Sequence, residues 1–416
     1  MAGGKGTRIS SVASDIPKPM IKIAGKPVLE REIECLRKQG FTDLILTVSH
    51  LSDIIINYFG DGSKFGVNIE YFVEKEPLGN AGALFKIKDK LQEDFLLLNG
   101  DAIFDIDFNR FVNYHYKKGG LVTLFTHPNS HPYDSGLIIA DEDMSVNKWL
   151  TKEEKRPEFY KNRVNAGLHV ISPKVLDMEM HSEKVDLDRQ ILKPLSGTHK
   201  MFVYDSPEYV KDMGTPERYY AVCEDCKNGI LEKRNLINKQ KAIFLDRDGT
   251  INKYVGFLKD LSSFELKKGV VEAIKRINSS EYLAIVVTNQ PVIARGEITI
   301  KELDMIHNKL ETLLGNEGAY IDGLYYCPHH PDKGFEGERI EYKIDCNCRK
   351  PKPGMLIKAS EDFNIDLASS WMIGDSKNDI LCGKNAMCKT GYVGDDIDID
   401  CDLKGSSLLE IVNKII

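Results

Sequence analysis

Two aspartates stand two residues apart in the stretch FLDRDGT, Asp246 and Asp248, directly after an apolar run. In an extended or turning backbone the side chains of i and i+2 leave on the same side, so both carboxylates can face one pocket. Such a pair can hold a divalent cation while one carboxylate attacks phosphorus and the other moves the leaving-group proton. Three more polar clusters accompany it: VVTN supplies Thr288, CRKPKPG supplies Lys350, and MIGDSKND supplies Asp375 and Asp379. An Asp-Gly turn that merely closes a strand would explain the first pair alone. Four clusters at the carboxyl ends of successive parallel strands would instead converge on one crevice.

The stretch YYCPHHPDKGFEGERIEYKIDCNCRKPKPG carries a second chemistry. Cys327 and His329 form C-x-H, and Cys346 and Cys348 form C-x-C. Three thiolates and one imidazole make a closed tetrahedral set suited to structural Zn²⁺. His330 is the alternative to His329 as the nitrogen ligand. Arg349 and Lys350 directly follow Cys348, so a zinc-pinned loop would hold two cations over a phosphate pocket.

The aspartate, threonine and lysine set resembles the haloacid dehalogenase (HAD) phosphatase superfamily, over essentially all of 241–416. The resemblance implies Asp246 as the nucleophile that forms an aspartyl-phosphate and Asp248 as the acid and then base. It implies Thr288 and Lys350 on the transferring phosphoryl group, and Mg²⁺ held by Asp246, Asp248 and Asp375. The C-x-H…C-x-C-R-K insertion is similar to that of the heptose-bisphosphate phosphatases and the related histidinol-phosphate phosphatases. IFLDRDGTIN, VVTNQ, IARG and YYCPHHP match the heptose enzymes most closely, which implies Asn289, Arg295 and Arg349 as substrate contacts.

At the other end, AGGKGTR is followed by PKPM, bringing a glycine loop, Arg8 and Lys18 into one short stretch. Backbone N–H groups left uncovered by glycine, together with cations, suit a triphosphate. NGD puts Asp101 after an apolar run and DMGTPE puts Asp212 in a turn, and the two together could hold one Mg²⁺. The combination resembles the sugar-1-phosphate nucleotidyltransferases from Ala2 to about Tyr220. That resemblance implies nucleotide binding by Gly3, Gly4, Gly6, Thr7, Arg8 and Gly79, transition-state stabilisation by Lys18, and a Mg²⁺ site at Asp101 and Asp212. It also implies sugar-phosphate contacts from Glu154, Lys155, Asn165 and Gly167. Members of that family carry a hydrophobic strand ahead of the glycine loop. Met1 stands where that strand would end, which reads as a start set too far downstream, a clipped chain or a degraded domain.

These residues need elements to position them. From residue 26 onward helix-like and strand-like periodicities alternate: KPVLEREIECLRKQG, DLILTVS, LSDIIINYFG, NIEYFVE, FLLLNGD. Such alternation implies a mainly parallel sheet with helices on both faces. A charged helix and linker over 217–240 precedes a second alternation opened by KAIFLDRDGTIN, and the C-x-x-C of Cys223 and Cys226 reads as part of that helix. The expectation is two Rossmann-like α/β domains. The first, 1–222, has a nucleotidyltransferase-type mixed sheet lacking its first strand; after a helical linker at 223–240, the second, 241–416, has a HAD-type parallel sheet with a zinc-binding loop.

A net charge of −7 argues against nucleic acid as the main partner. No run suits a membrane span and no signal-peptide pattern opens the chain, so the protein reads as soluble and cytoplasmic. Its partners would be sugar phosphates and a nucleoside triphosphate, with homo-oligomerisation left open. A phosphatase joined to a nucleotidyltransferase suggests consecutive steps: heptose 1,7-bisphosphate loses its 7-phosphate, and heptose 1-phosphate then takes a nucleotidyl group, with GTP as the donor. The alternatives are a histidinol-type or broad phosphatase fused to a hexose-1-phosphate nucleotidyltransferase, and a phosphatase with a non-catalytic nucleotide-sugar-binding domain.

Overall fold

The computed structural model describes residues 1, 16–100, 102–334, 336–396 and 398–416. The chain divides into two compact units, Met1–His127 with Gly136–Thr151 and Val164–Asn235, and Leu236–Ile416 with Pro128–Ser135 and Lys152–Arg163. Among the described residues no helix is long and apolar enough to cross a membrane.

In the first unit, helix α1 (Val28–Lys38) precedes strand β1 (Asp43–Val48), α2 (Ser52–Phe59) and β2 (Asn68–Val73). β1 and β2 pair in parallel, as strands joined by a helical crossover must. Then come β3 (Phe95–Leu98), β4 (Ala102–Asp105) and α3 (Phe108–Lys118), whose first turn is capped by the Asp107 carboxylate accepting from Arg110 N–H at 3.0 Å. The rest of the unit is strand-rich: β5 (Val122–His127), β6 (Leu137–Ala140), β7 (Val146–Leu150), β8 (Val164–Ile171), β9 (Met201–Asp205), β10 (Tyr209–Asp212) and then helix α4 (Pro216–Lys227).

The sheet is mixed. β8 is its hub and pairs antiparallel with β3, β5 and β6, while β9 joins β5 in parallel. The mainly parallel sheet implied by the early alternation stops at β1 and β2. After α3 the strands follow one another without long helices between them, so β6 and β7 close as an antiparallel pair.

The second unit holds a six-stranded, wholly parallel sheet built from β11 (Lys241–Leu245), β12 (Tyr282–Asn289), β13 (Gly323–Cys327), β14 (Trp371–Gly374), β15 (Lys389–Val393) and β16 (Leu403–Gly405). The spatial order is β13-β12-β11-β14-β15-β16. The chain steps outward from β11 to one side, then returns to its other flank at β14, so a switch point lies at the carboxyl end of β11. Helices α5 (Val270–Asn278), α6 (Ile300–Asn316), α7 (Gly354–Phe363), α8 (Lys377–Asn385) and α9 (Leu408–Ile415) accompany the strands. Ala242 to Leu245 and Leu283 to Val287 are all fully buried, as near-continuous apolar strands covered on both faces should be.

The segments 128–135 and 152–163 belong to this second unit although the sequence places them inside the first half. On α6, Thr312 Oγ1 accepts from Tyr160 N–H at 2.8 Å and Glu311 Oε2 accepts from Asn162 N–H at 2.8 Å. All four residues are buried, so these bonds fix the 152–163 segment on the helix.

Candidate active sites

At the switch point of the second unit, β11 delivers Asp246 and β14 delivers Asp375. Lys350 Nζ lies 2.5 Å from Asp246 Oδ1, 2.6 Å from Asp379 Oδ1 and 2.9 Å from the Val287 carbonyl. This ammonium is buried and fully satisfied. Burial works to lower the pKa of Lys350, but the Asp246 and Asp379 carboxylates outweigh it and hold the charged form. Burial pushes the Asp246 carboxyl up to about 8, a rise opposed by Lys350 and helped by Asp379. Asp379 has a double duty, because its Oδ2 also accepts from Ser376 N–H at 3.0 Å in the capping box that starts α8.

Oxygens of Asp246, Asp375 and Asp379 come within 4.8 Å of one another. Three carboxylates so placed suit a hard divalent cation. The expected Asp248 carboxylate is not in that group, since other partners hold it. Arg247 Nη2 donates to its Oδ2 at 2.8 Å, Asn252 Nδ2 to its Oδ1 at 3.0 Å, and Gln290 Nε2 to its Oδ2 at 2.8 Å. Burial works to raise the pKa of Asp248, yet Arg247 first, with the hydrogen bonds of Asn252 and Gln290, holds it below the usual carboxylate range.

Gln290 Nε2 also donates to Thr288 Oγ1 at 2.8 Å, tying the threonine to Asp248. Gly249, at φ +91°, lets the turn pass Asp375: a Cβ there would lie 2.0 Å from Asp375 Oδ2. Asn289 faces the Lys350 backbone, accepting from its N–H at 3.0 Å and donating to its carbonyl at 3.1 Å. Arg349 donates to the His329 carbonyl at 3.1 Å, and the Arg295 guanidinium stacks 4.2 Å from the Phe257 ring centroid.

Cys327, at the end of β13, meets His329, Cys346 and Cys348 in one cluster. The three sulfurs lie 3.2–3.5 Å apart, and His329 Nδ1 lies 3.3 Å from Cys348 Sγ and 3.7 Å from Cys327 Sγ. All four cysteine and histidine ligand atoms can therefore reach one ion at metal–sulfur distances of about 2.3 Å. His330 is turned away, its Nδ1 accepting from Asp332 N–H at 3.2 Å.

In the first unit Gly3, Gly4, Gly6, Thr7, Arg8 and Asp101 lie outside the described residues. Lys18 opens a short helical turn, Lys18–Met20. Asp212 pairs in register with Ala102, next in the chain to Asp101, and its carboxylate takes the Arg218 guanidinium at 2.8 Å. Asn165 Oδ1 accepts from Gly167 N–H at 3.2 Å. Gly167, at φ +76°, fits against Asn99, where a Cβ would come within 2.5 Å of the amide nitrogen. Gly79 forms an isolated parallel bridge with Val185. Glu154 and Lys155 lie on the 152–163 segment, which belongs to the second unit.

The profile of the nucleotidyl transferase family matches residues 1–229, and that of HAD-hydrolase-like proteins matches 347–407. Over 151 residues the chain is 43% identical to the D-glycero-beta-D-manno-heptose-1,7-bisphosphate 7-phosphatase of Pasteurella multocida, covering 36% of this chain and 79% of that protein. The chain belongs to both families. The phosphatase of the same name from Salmonella typhi is 42% identical over 156 residues, covering 36% of this chain and 81% of the relative. Among solved structures, HddC from Yersinia pseudotuberculosis aligns at 29% identity with a TM-score of 0.47, over 54% of this chain and 96% of that one. The family match over 1–229 and the identity to the phosphatases make the protein a bifunctional enzyme, a nucleotidyltransferase and a HAD phosphatase on one chain.

In its phosphatase part, the residues that sequence reasoning missed are Arg247, Asn252 and Gln290. Gln290 carried a readable signal: it stands two residues after Thr288, so an extended strand end sends both side chains to one side.

Proposed function

We propose that the second unit removes the 7-phosphate of heptose 1,7-bisphosphate and that the first then transfers GMP from GTP to heptose 1-phosphate. The observation that carries the reading is the Lys350 ammonium between Asp246 and Asp379 at the switch point of a parallel sheet. The substrate assignment is supported by the identity to the heptose-bisphosphate phosphatases and by the chemistry of the pair, since removal of one phosphate leaves the sugar 1-phosphate that a nucleotidyltransferase consumes.

In the phosphatase reaction Asp246 attacks phosphorus, the bond from phosphorus to the sugar oxygen breaks, and Asp248 gives that oxygen a proton. Asp248 then takes a proton from water as the water attacks the aspartyl-phosphate, releasing inorganic phosphate and restoring Asp246. Lys350 and Thr288 bind the phosphoryl oxygens, while Arg247, Asn252 and Gln290 aim the Asp248 carboxyl. Arg295 and Arg349 bind the substrate, and Asn289 acts through its grip on the Lys350 backbone. Mg²⁺ would be held by Asp246, Asp375 and Asp379 and would neutralise phosphoryl charge. Zn²⁺ would be held by Cys327, His329, Cys346 and Cys348, fixing the loop that carries Arg349 and Lys350.

In the transfer reaction a phosphate oxygen of the sugar 1-phosphate attacks the α-phosphorus of the triphosphate and pyrophosphate leaves. The nucleophile is already an anion, so no general base is required, and positioning with charge neutralisation supplies the rate. Lys18 and the glycine-loop residues serve the triphosphate, Asn165 and Gly167 the sugar phosphate, and Asp101 with Asp212 a second Mg²⁺. The abundance of cysteine without disulfides supports a reducing, cytoplasmic setting.

A ³¹P NMR time course with Mg²⁺, heptose 1,7-bisphosphate and each of GTP, ATP, CTP and UTP tests the proposal. Phosphate release followed by pyrophosphate and a nucleotide diphosphate-sugar signal with GTP is expected. Absence of phosphate release would refute the phosphatase assignment, and turnover with another triphosphate in preference to GTP would refute the choice of base.

A further inference from the structure

Between the two halves of the metal-type cluster, the chain that runs from His329 to Cys346 carries a buried ammonium, that of Lys343. A charge taken out of water in this way needs close partners. Its Nζ donates to the Asp332 carbonyl and pairs with Glu338 Oε2 at 3.1 Å. The other carboxylate oxygen of Glu338 accepts from Gly334 N–H at 3.0 Å, and His330 N–H donates to the Tyr342 carbonyl at 3.2 Å. The two arms of the loop are therefore tied to each other and to its middle.

A lysine that served only to close its own loop would explain these bonds. The residues on either side of Glu338 make a further contact. Arg339 N–H donates to the Ala294 carbonyl at 3.0 Å. Gly296, at φ +71°, runs so close to the loop that a Cβ on it would lie 2.0 Å from the Gly337 carbonyl oxygen. Ala294 and Gly296 flank Arg295 in the chain, as Gly337 and Arg339 flank Glu338. The loop thus leans on the turn after β12 at the two positions beside Arg295.

That turn is tight in itself. The N–H groups of Arg295, Gly296 and Glu297 donate to the carbonyls of Pro291, Ile293 and Val292, each at 3.0 Å. The guanidinium it carries lies 3.6 Å from Glu297 Oε1 and stacks on Phe257. A backbone shift at Ala294 or Gly296 would carry the guanidinium with it. Arg349, which follows the far end of the same loop, is held through the His329 carbonyl.

We propose that Lys343 is a positioning residue for substrate binding: through Glu338 it holds the loop against the 294–296 turn and so sets Arg295 in one frame with Arg349. The ligand is an anionic group of the substrate other than the one cleaved, which is a second phosphate under the bisphosphate reading on which this inference rests. Two guanidinium groups set by one loop meet such a group in a fixed geometry, and a fork of donors held still loses less on binding. A monophosphate without that group gains nothing from the loop.

The test compares heptose 1,7-bisphosphate with p-nitrophenyl phosphate on the full chain. Lys343→Met removes the ammonium and keeps an unbranched stem. Gly296→Ala leaves every charge in place and forces the turn off the loop, so it carries the test if the first variant fails to fold. In both variants KM for the bisphosphate should rise about tenfold or more, while kcat/KM for p-nitrophenyl phosphate stays within about threefold of the parent and metal content is unchanged. An equal fall on both substrates, or an unchanged KM for the bisphosphate, would overturn the proposal. A parent that does not hydrolyse the bisphosphate would refute the heptose reading instead, and hydrogen exchange would then decide the role of Lys343. The Arg339 amide should exchange about tenfold faster in Lys343→Met than in the parent, and equal exchange would overturn the proposal.

Discussion

Replacing Lys350 by Met tests the charge arrangement on which the phosphatase reading depends. The substitution keeps an unbranched stem of similar length and removes an ammonium that lies within 2.6 Å of two buried carboxylates, those of Asp246 and Asp379. Breaking a buried ion pair from one side costs about 3–5 kcal/mol, because the remaining charge has no compensation. Asp246 supplies a part of that cost that depends on pH. Its folded pKa of about 8 stands above the unfolded value, so stability falls as pH rises through that window. Below about 8 less of the carboxyl is ionised, and the missing ammonium matters less to it. Above that point the parent ionises beside Lys350 and the variant has no counter-charge. In magnesium-free buffer the melting temperature of the variant should therefore trail the parent by about 10 °C at pH 9 and by less at pH 6. Phosphate release from the bisphosphate should fall by about 10²–10³-fold or more, the scale of one lost electrostatic contact in a dry site. A melting deficit equal at both pH values, or phosphate release within about threefold of the parent, would refute the reasoning.

Three further perturbations address separate parts of the molecule. Gln290→Leu removes the amide that bridges Asp248 and Thr288; kcat for phosphate release should drop about tenfold with KM little changed. Because the Gln290 hydrogen bond helps hold Asp248 down, the acid limb of the pH–rate profile should also move to higher pH, a shift that a loss of packing alone would not produce. Cys346→Ser leaves three ligands of the metal-type cluster, so metal content measured after purification should fall and phosphate release with it, while nucleotidyl transfer persists. Asp212→Asn should cut nucleotidyl transfer by about 10²-fold and leave phosphate release unchanged, measured on the same preparation by pyrophosphate and phosphate assays.

The second unit was the more legible in sequence because its chemistry sits at strand ends. In YLAIVVTN the apolar stretch Leu283 to Val287 buries completely and Thr288 follows it directly, so period and chemistry coincide. The C-x-H and C-x-C pairs were legible for a related reason, since spacing alone brings each pair to one point. What spacing could not show is how a carboxylate is shared once folded. Asp248 and Asp246 look equivalent in FLDRDGT, yet Arg247, fully buried between them, turns to Asp248, while Lys350 arrives from far along the chain to meet Asp246. The excursions at 128–135 and 152–163 were hidden for the same reason. Their anchors, Thr312 and Glu311, are polar residues of α6 whose burial is set only by the segment that covers them.

The proposed sequence of reactions places a demand on the phosphatase that its geometry must answer. Both phosphates of a 1,7-bisphosphate are monoesters, and hydrolysis at the anomeric end would destroy the group that nucleotidyl transfer needs. Selectivity must then come from binding the phosphate that is not cleaved. Arg349 is suited to that task because the metal-type loop fixes its position through the His329 carbonyl. A cation placed to meet the second phosphate favours a substrate carrying two phosphates over one carrying the anomeric phosphate alone. The product would then lose its anchor at one end or its reacting group at the other, and would leave intact for the second reaction.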